Sequence, residues 1–233
     1  MNRSWLALFS TVVAFILSGT AHATLVTRPQ ARAPLSDPQA ARLVHRSAWE
    51  PRSDNGATRH RMPTRAQLRE FWTQSQMPYS HWVTGHFTGT TDEIIQWAAI
   101  KWGFSPDLLR AVAATESWWK MSTVGDNGDS FGLFQVRRPY HCQGRVCGWF
   151  RNDAALNADY YGAILRSYYD GVEGWLNAVS GNGARYRSHD LWGSVGAWYS
   201  GRWRDVGAQQ YIAKVRSNLR QRVWRTSAFA GGN

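Results

Sequence analysis

Two helix patterns run back to back between Thr91 and Glu116, each with its own start signal, and they commit the chain to a helical fold. Thr91 stands as an N-cap, with Asp92 and Glu93 in the first turn, where carboxylates complement the helix dipole. Ile94, Ile95, Ala98, Ala99 and Trp102 recur at the helical period, and Gly103 ends it. Ser105 caps a second helix, with Pro106 at its first position and Asp107 behind it. Leu108, Leu109, Val112 and Ala113 form its inward face. Further on, Asp153 to Asp170 reads as a long helix with Ile164, Leu165 and four Tyr. Leu191 to Tyr199 reads as a short apolar helix broken at Gly201. Val206 to Trp224 closes the chain, with Tyr211, Ile212, Val215, Leu219 and Val223 in helical register. A short helix fits Gln67 to Trp72, and the stretches Tyr79 to Thr91 and Ser122 to Ser130 read as loops. No strand pattern of any length and no internal repeat appears. The predicted class is mainly α.

The 233 residues suit one domain with additions at its ends. Arg3 precedes an almost wholly apolar run from Leu6 to Leu17, and Ala21-His22-Ala23 then gives a small-x-small cleavage pattern. Residues 1–23 are predicted to be a signal peptide. The apolar run is shorter than the roughly 20 residues that span a bilayer, so no membrane anchor is expected after cleavage. Residues 24–65 carry five Pro, many Arg and little apolar periodicity. They read as a flexible basic arm, either a tether to an anionic polymer or a passive linker, and are expected to be dispensable for chemistry. The folded domain is predicted over residues 66–228, with 229–233 as a tail.

Apolar residues make up 43% of the chain and charged residues 18%, which excludes a wholly disordered polymer. Lys and Arg number 27 against 16 Asp and Glu, a balance that favours a polyanionic partner. Export turns that preference from nucleic acid toward cell wall, and the scattered basic residues match no nucleic-acid motif. The 14 Trp supply flat apolar faces that suit sugar rings as well as cores. The two cysteines, Cys142 and Cys147, lack the second pair that a zinc framework needs. In an oxidising compartment they are expected to form a disulfide, and no metal is called for.

Glu116 lies one turn beyond Val112 and two beyond Leu108, so it shares their apolar face. An ionised carboxylate there is costly unless paired. Desolvation raises its pKa toward what a general acid needs at neutral pH. A structural carboxylate held by Arg or backbone donors would satisfy the same pattern.

Glu116-Ser117 is followed, after a loop, by Ser130-Phe131-Gly132-Leu133-Phe134-Gln135. This resembles the soluble lytic transglycosylase family of the lysozyme superfamily, in which a helix ending in Glu-Ser precedes Ser/Ala-x-Gly-Leu-Met-Gln. Phe134 replaces the usual Met. Gly196-Ala197-Trp198-Tyr199-Ser200-Gly201 is similar to the family's Ala-Tyr-Asn-x-Gly segment, with Tyr199 taken as its tyrosine and Ser200 in place of Asn. Asn157 stands roughly where the family has an Asn opening its middle helix. These elements span about half the chain, from Thr91 to Trp203.

The resemblance implies a lysozyme-like helical domain of the goose-lysozyme type. It implies an exported, monomeric enzyme of the periplasm or cell wall that cuts the bond between N-acetylmuramic acid and N-acetylglucosamine in peptidoglycan without a cofactor. Glu116 would act as general acid and then base, leaving a 1,6-anhydro end. Ser130, Gly132, Phe134, Gln135 and Tyr199 would line the substrate, with the Tyr199 hydroxyl beside the acid, and Trp118, Trp119, Trp198 and Trp203 are candidate sugar platforms. Two other readings stay open. A hydrolytic muramidase needs a second carboxylate to activate water, and Asp126 or Asp129 would supply it. A non-catalytic wall-binding module would use the Trp and Arg alone.

Overall fold

The computed structural model describes residues 32–178 and 183–231. The predicted signal peptide and the first residues of the predicted arm, 24–31, lie outside this range. Within it the chain is mainly helical: α1 (Asp37–Arg42), α2 (Arg65–Gln74), α3 (Thr91–Lys101), α4 (Pro106–Glu116), α5 (Val146–Asn152), α6 (Ala154–Asp170), α7 (Leu191–Ser200), α8 (Val206–Gln221) and α9 (Ser227–Ala230). Three two-residue strands, β1 (Val124–Gly125), β2 (Ser130–Phe131) and β3 (Val136–Arg137), pair antiparallel in the order β1-β2-β3. Val124 faces Phe131, and Phe131 faces Val136. Strands this short carry no period, so the sequence reads them as loop.

Local chemistry sets most helix ends. The cap of α3 is Thr90, one residue before the expected Thr91. Its hydroxyl accepts from the Glu93 backbone N–H, and Glu93 accepts from the Thr90 N–H in return, a capping box. Asp153 caps α6 by accepting from Leu156 N at 2.8 Å, and Gly171, at φ 81°, turns the chain out of it. Asp190 and Asp205 cap α7 and α8 in the same way. Helix α6 is buried nearly all round and packs against α3, α5 and α7. Helix α4 packs between α3 and α8, and α7 lies against α8. The C-terminal end of α4 thus points into the junction of the helices that carry the site.

The flexible arm expected over 24–65 is corrected by the structure for residues 32–65. Arg32 and Leu35 donate backbone hydrogen bonds to the carbonyls of Gly103 and Lys101 at the end of α3 (2.9 and 2.7 Å). Ala40 of α1 is buried in the core. Asn55, fully buried, donates to Thr91 Oγ1 and Trp119 O and accepts from Met121 N, all within 2.9 Å. Glu50 accepts from Thr91 N, and Glu93 from Ser47 N. Polar side chains, not an apolar stripe, fasten this segment, so hydrophobic periodicity does not report it. Deleting residues up to 65 is therefore expected to destabilise the protein rather than remove a dispensable arm. Orphaning several buried partners costs about 1–3 kcal/mol each, which should lower the melting temperature by about 10 °C or more. A truncated protein that melts with the full chain in calorimetry would contradict this.

The tail boundary is corrected as well. Phe229 is buried against Trp118 and Trp119, with the Arg52 guanidinium over its ring at 4.2 Å, so the domain continues through α9. Cys142 and Cys147 form a disulfide, with Cα atoms 5.1 Å apart. It ties the segment after β3 to the first turn of α5 and is worth about 2 kcal/mol on the chain-entropy model. Among the described residues, no helix is long and apolar enough to cross a membrane.

Candidate active site

Glu116 is the last residue of α4. Beyond it the chain turns sharply, with Trp118 and Trp119 both in the left-handed region (φ 55° and 63°), an uncommon conformation for bulky residues. Two bonds hold this turn. The Ser117 hydroxyl donates to the Leu133 carbonyl at 2.8 Å, and the Trp119 indole N–H to the Arg110 carbonyl at 2.9 Å. The Glu-Ser pair is thereby fastened to the Gly132–Gln135 turn, which is the reason the two elements belong together.

Glu116 is only partly exposed. Trp198 Nε1 of α7 donates to Oε1 at 3.1 Å, and the Tyr211 hydroxyl of α8 donates to the same oxygen. Burial pushes the carboxyl up from its ordinary 4.5 to about 7. The Tyr211 and Trp198 donors and the Lys214 charge pull it down, while Asp126 pushes it up, and desolvation wins.

The turn after β2 is built on Gly132 and Asn157. Gly132 has φ 77°, and a Cβ there would lie 2.5 Å from Asn157 Nδ2, so both its conformation and its closeness require glycine. Asn157, fully buried in α6, accepts from Phe134 N (3.0 Å) and donates to Phe131 O and Phe150 O (2.9 and 3.0 Å). It fixes the turn whose Leu133 carbonyl accepts from the Ser117 hydroxyl.

The other expected residues divide. The Gln135 amide is spent on Gly132 O and Thr123 O (2.9 and 3.2 Å), bracing the loop. Ser130 is buried, and its hydroxyl donates to Asp126 Oδ2 at 2.5 Å. Phe134 does not line a substrate surface. It is fully buried and stacks on Tyr161 with ring centroids 4.4 Å apart. Tyr199 does not bring its hydroxyl to the acid. It is 59% exposed at the end of α7 and stacks face to face on Tyr211 at 4.8 Å. The acid's phenol partner is Tyr211, which the sequence marks only as one residue of an apolar stripe. Asp126 lies near enough for its charge to act on Glu116, but it is also within 3.4 Å of Arg137 Nε. Asp129 is ion-paired with Arg138 at 2.5 Å. Trp119 and Trp203 are core residues, whereas Trp118 is partly exposed.

Trp198 is itself held. His141 stacks on its indole (4.7 Å, 22°), and Tyr161 meets it edge-on at 5.0 Å. His141 Nδ1 lies 3.1 Å from the Tyr160 hydroxyl, and burial, with Arg137 nearby, drops its pKa to about 4. The imidazole therefore stays neutral where Glu116 titrates. Among the described residues, no cluster of His, Cys, Asp and Glu could hold a metal ion.

An arrangement of one titrating carboxyl with both fixed donors on a single oxygen can give a proton and take it back. No protein-family model matches this chain, and neither a curated protein nor a solved structure matches it significantly.

Proposed function

We propose that the protein is an exported peptidoglycan lytic transglycosylase with a lysozyme-like catalytic domain and Glu116 as its single acid–base residue. The observation that carries this reading is the Glu116 carboxyl itself, raised to about 7 by burial and fastened beside the Gly132–Gln135 turn. A group with that pKa is half protonated near neutral pH, as a residue with both proton-transfer roles requires.

In the first step Glu116 gives its proton to the glycosidic oxygen as the bond from muramic acid C1 breaks. The acetamido oxygen of the same sugar closes onto C1 and takes up the positive charge. In the second step ionised Glu116 removes the proton of the C6 hydroxyl, whose oxygen attacks C1 and expels the acetamido oxygen. The 1,6-anhydro ring closes, Glu116 is protonated again, and no water is consumed. Trp198 and Tyr211 hold Oε1 and soften the charge that appears between the steps. The resemblance supports the same reading once its register is adjusted. Counted back from Gly201, the Ala-Tyr-Asn-x-Gly pattern puts its aromatic residue at Trp198, the α7 residue bonded to the acid.

Hydrolysis by an inverting pair is the second reading, favoured by the charge of Asp126 acting at Glu116. The engagement of Asp126 with Ser130 and Arg137, and of Asp129 with Arg138, argues against a base free to activate water. Mass analysis of digested peptidoglycan decides. Anhydro-muramyl ends are expected, and reducing ends, heavier by one water, would transfer the assignment to the muramidase.

A further inference from the structure

Beside the acid, one buried polar atom among the described residues has no hydrogen-bond partner: the hydroxyl of Tyr161, a residue of α6 with 0% exposure. Its ring is accounted for by stacking on Phe134 and by the edge contact with Trp198. A phenylalanine would make both contacts. The hydroxyl adds only the cost of an unpaired buried donor, and native proteins rarely tolerate such a group without a partner.

Of the charges around it, that of Glu116 acts most strongly on the Tyr161 phenol. Trp198, which Tyr161 touches, and Tyr211 both donate to Glu116 Oε1. Among the described residues nothing donates to Oε2, the oxygen left to carry the mobile proton. Burial and the Glu116 charge hold the Tyr161 phenol well above the ordinary tyrosine range, so it bears its proton wherever Glu116 titrates.

We propose that Tyr161 is a further positioning residue for Glu116: its hydroxyl binds one water-sized polar guest that bridges to Oε2 and favours the ionised carboxylate. A bridging water is nearly as good as a direct hydrogen bond and satisfies both ends at once. The other groups that face Glu116 are Tyr211 and Lys214 from α8 and Asp126 from the loop after β1. Helix α3 offers Asp92, already paired with Arg110, and the turn after α8 offers Arg225, which is exposed. None of these is altered by a change at position 161.

Tyr161→Phe in the whole protein tests the inference. Glutamate carboxyls labelled with 13C are titrated by NMR, with Glu116→Gln assigning the signal. Loss of the bridge should raise the Glu116 midpoint by about half a pH unit or more. The variant should then lose more stability relative to the parent at pH 8 than at pH 5, because ionised Glu116 is the form left unsupported. A midpoint that does not move would overturn the proposal, as would a melting temperature raised equally at both pH values. A crystal structure of the parent protein gives an independent check. Density for a water within hydrogen-bond distance of Tyr161 Oη and Glu116 Oε2 supports the bridge, and a Tyr161 hydroxyl bonded elsewhere refutes it. If the protein cleaves peptidoglycan, the high-pH limb of kcat/KM should move up with the midpoint. Absence of cleavage would defeat the proposed function, while the titration would still decide the role of Tyr161.

Discussion

Glu116→Gln is expected to lower glycan cleavage by about two to four orders of magnitude or more, because the amide keeps the shape but has no proton to give. In the proposed mechanism one residue serves both transfers, so the loss should exceed that of an enzyme with separate acid and base. Asp126→Asn and Asp129→Asn should each cost far less, since the proposed transglycosylation activates no water. Turnover on purified peptidoglycan, read by product mass, measures all three. A Glu116→Gln protein with unchanged activity would defeat both catalytic readings, and an Asp variant as inactive as Glu116→Gln would favour hydrolysis.

The same substitution should stabilise the fold, in a pH-dependent way. The folded-state pKa of Glu116 is raised above its unfolded value, from 4.5 to about 7. The parent protein is therefore unaffected below the unfolded pKa and loses stability as pH rises toward the folded one. Glu116→Gln removes that loss. The two proteins should melt together near pH 4, and the variant should be more stable at pH 8 by up to about 3 kcal/mol, less whatever solvent reaches the carboxyl edge. Melting curves across that range check the sign. A gain at pH 4 that disappears at pH 8 would contradict it.

Asp159→Ala is expected to cost about 3–5 kcal/mol, the usual penalty for breaking a buried ion pair from one side. Asp159 has 0% exposure and lies within 2.7 Å of the Lys101 ammonium. It also accepts from the Trp102 indole and from the backbone N–H groups of Thr84 and Gly85, all within 3.0 Å. Its removal leaves Lys101 in the core with Asp37 of α1 as its remaining carboxylate and orphans three further donors. These bonds join α1, α3, α6 and the loop before α3, so the loss falls on the whole fold. The melting temperature should drop by about 10 °C, and Asp159→Asn, which keeps two acceptor lone pairs, by less. A fall of under about 3 °C would mean that the network relaxes onto other partners.

The structure also separates what local sequence can report from what it cannot. Helices α3, α4, α6, α7 and α8 are legible because their apolar periods, together with local signals such as Ser105-Pro106 before α4 and the glycines Gly103 and Gly201 after α3 and α7, act within a few residues of one another. The position of Glu116 on an apolar face follows from helical spacing alone. The segment over 32–65 is not legible, because Asn55, Glu50 and Glu93 fasten it through polar side chains to partners far along the chain. Phe134 reads as a contact residue only through the family resemblance, and its ring belongs to the core with Tyr161. Tyr199 and Tyr211 are indistinguishable as aromatic residues on apolar helices, and only the packing of α7 on α8 decides which hydroxyl reaches the acid.

The sequence by itself determined that the chain is mainly α, where its principal helices begin and end, and that Glu116 shares the apolar face of its helix. Those are matters of short-range stereochemistry and spacing. The tertiary structure decided the chemistry of that carboxylate. The Trp198 indole and the Tyr211 hydroxyl reach it from 82 and 95 residues away, on helices whose caps and periods say nothing of their neighbours. The rise of Glu116 to about 7 is the net of burial, which raises it, against those donors, which lower it, and a balance of long-range contacts has no local signature.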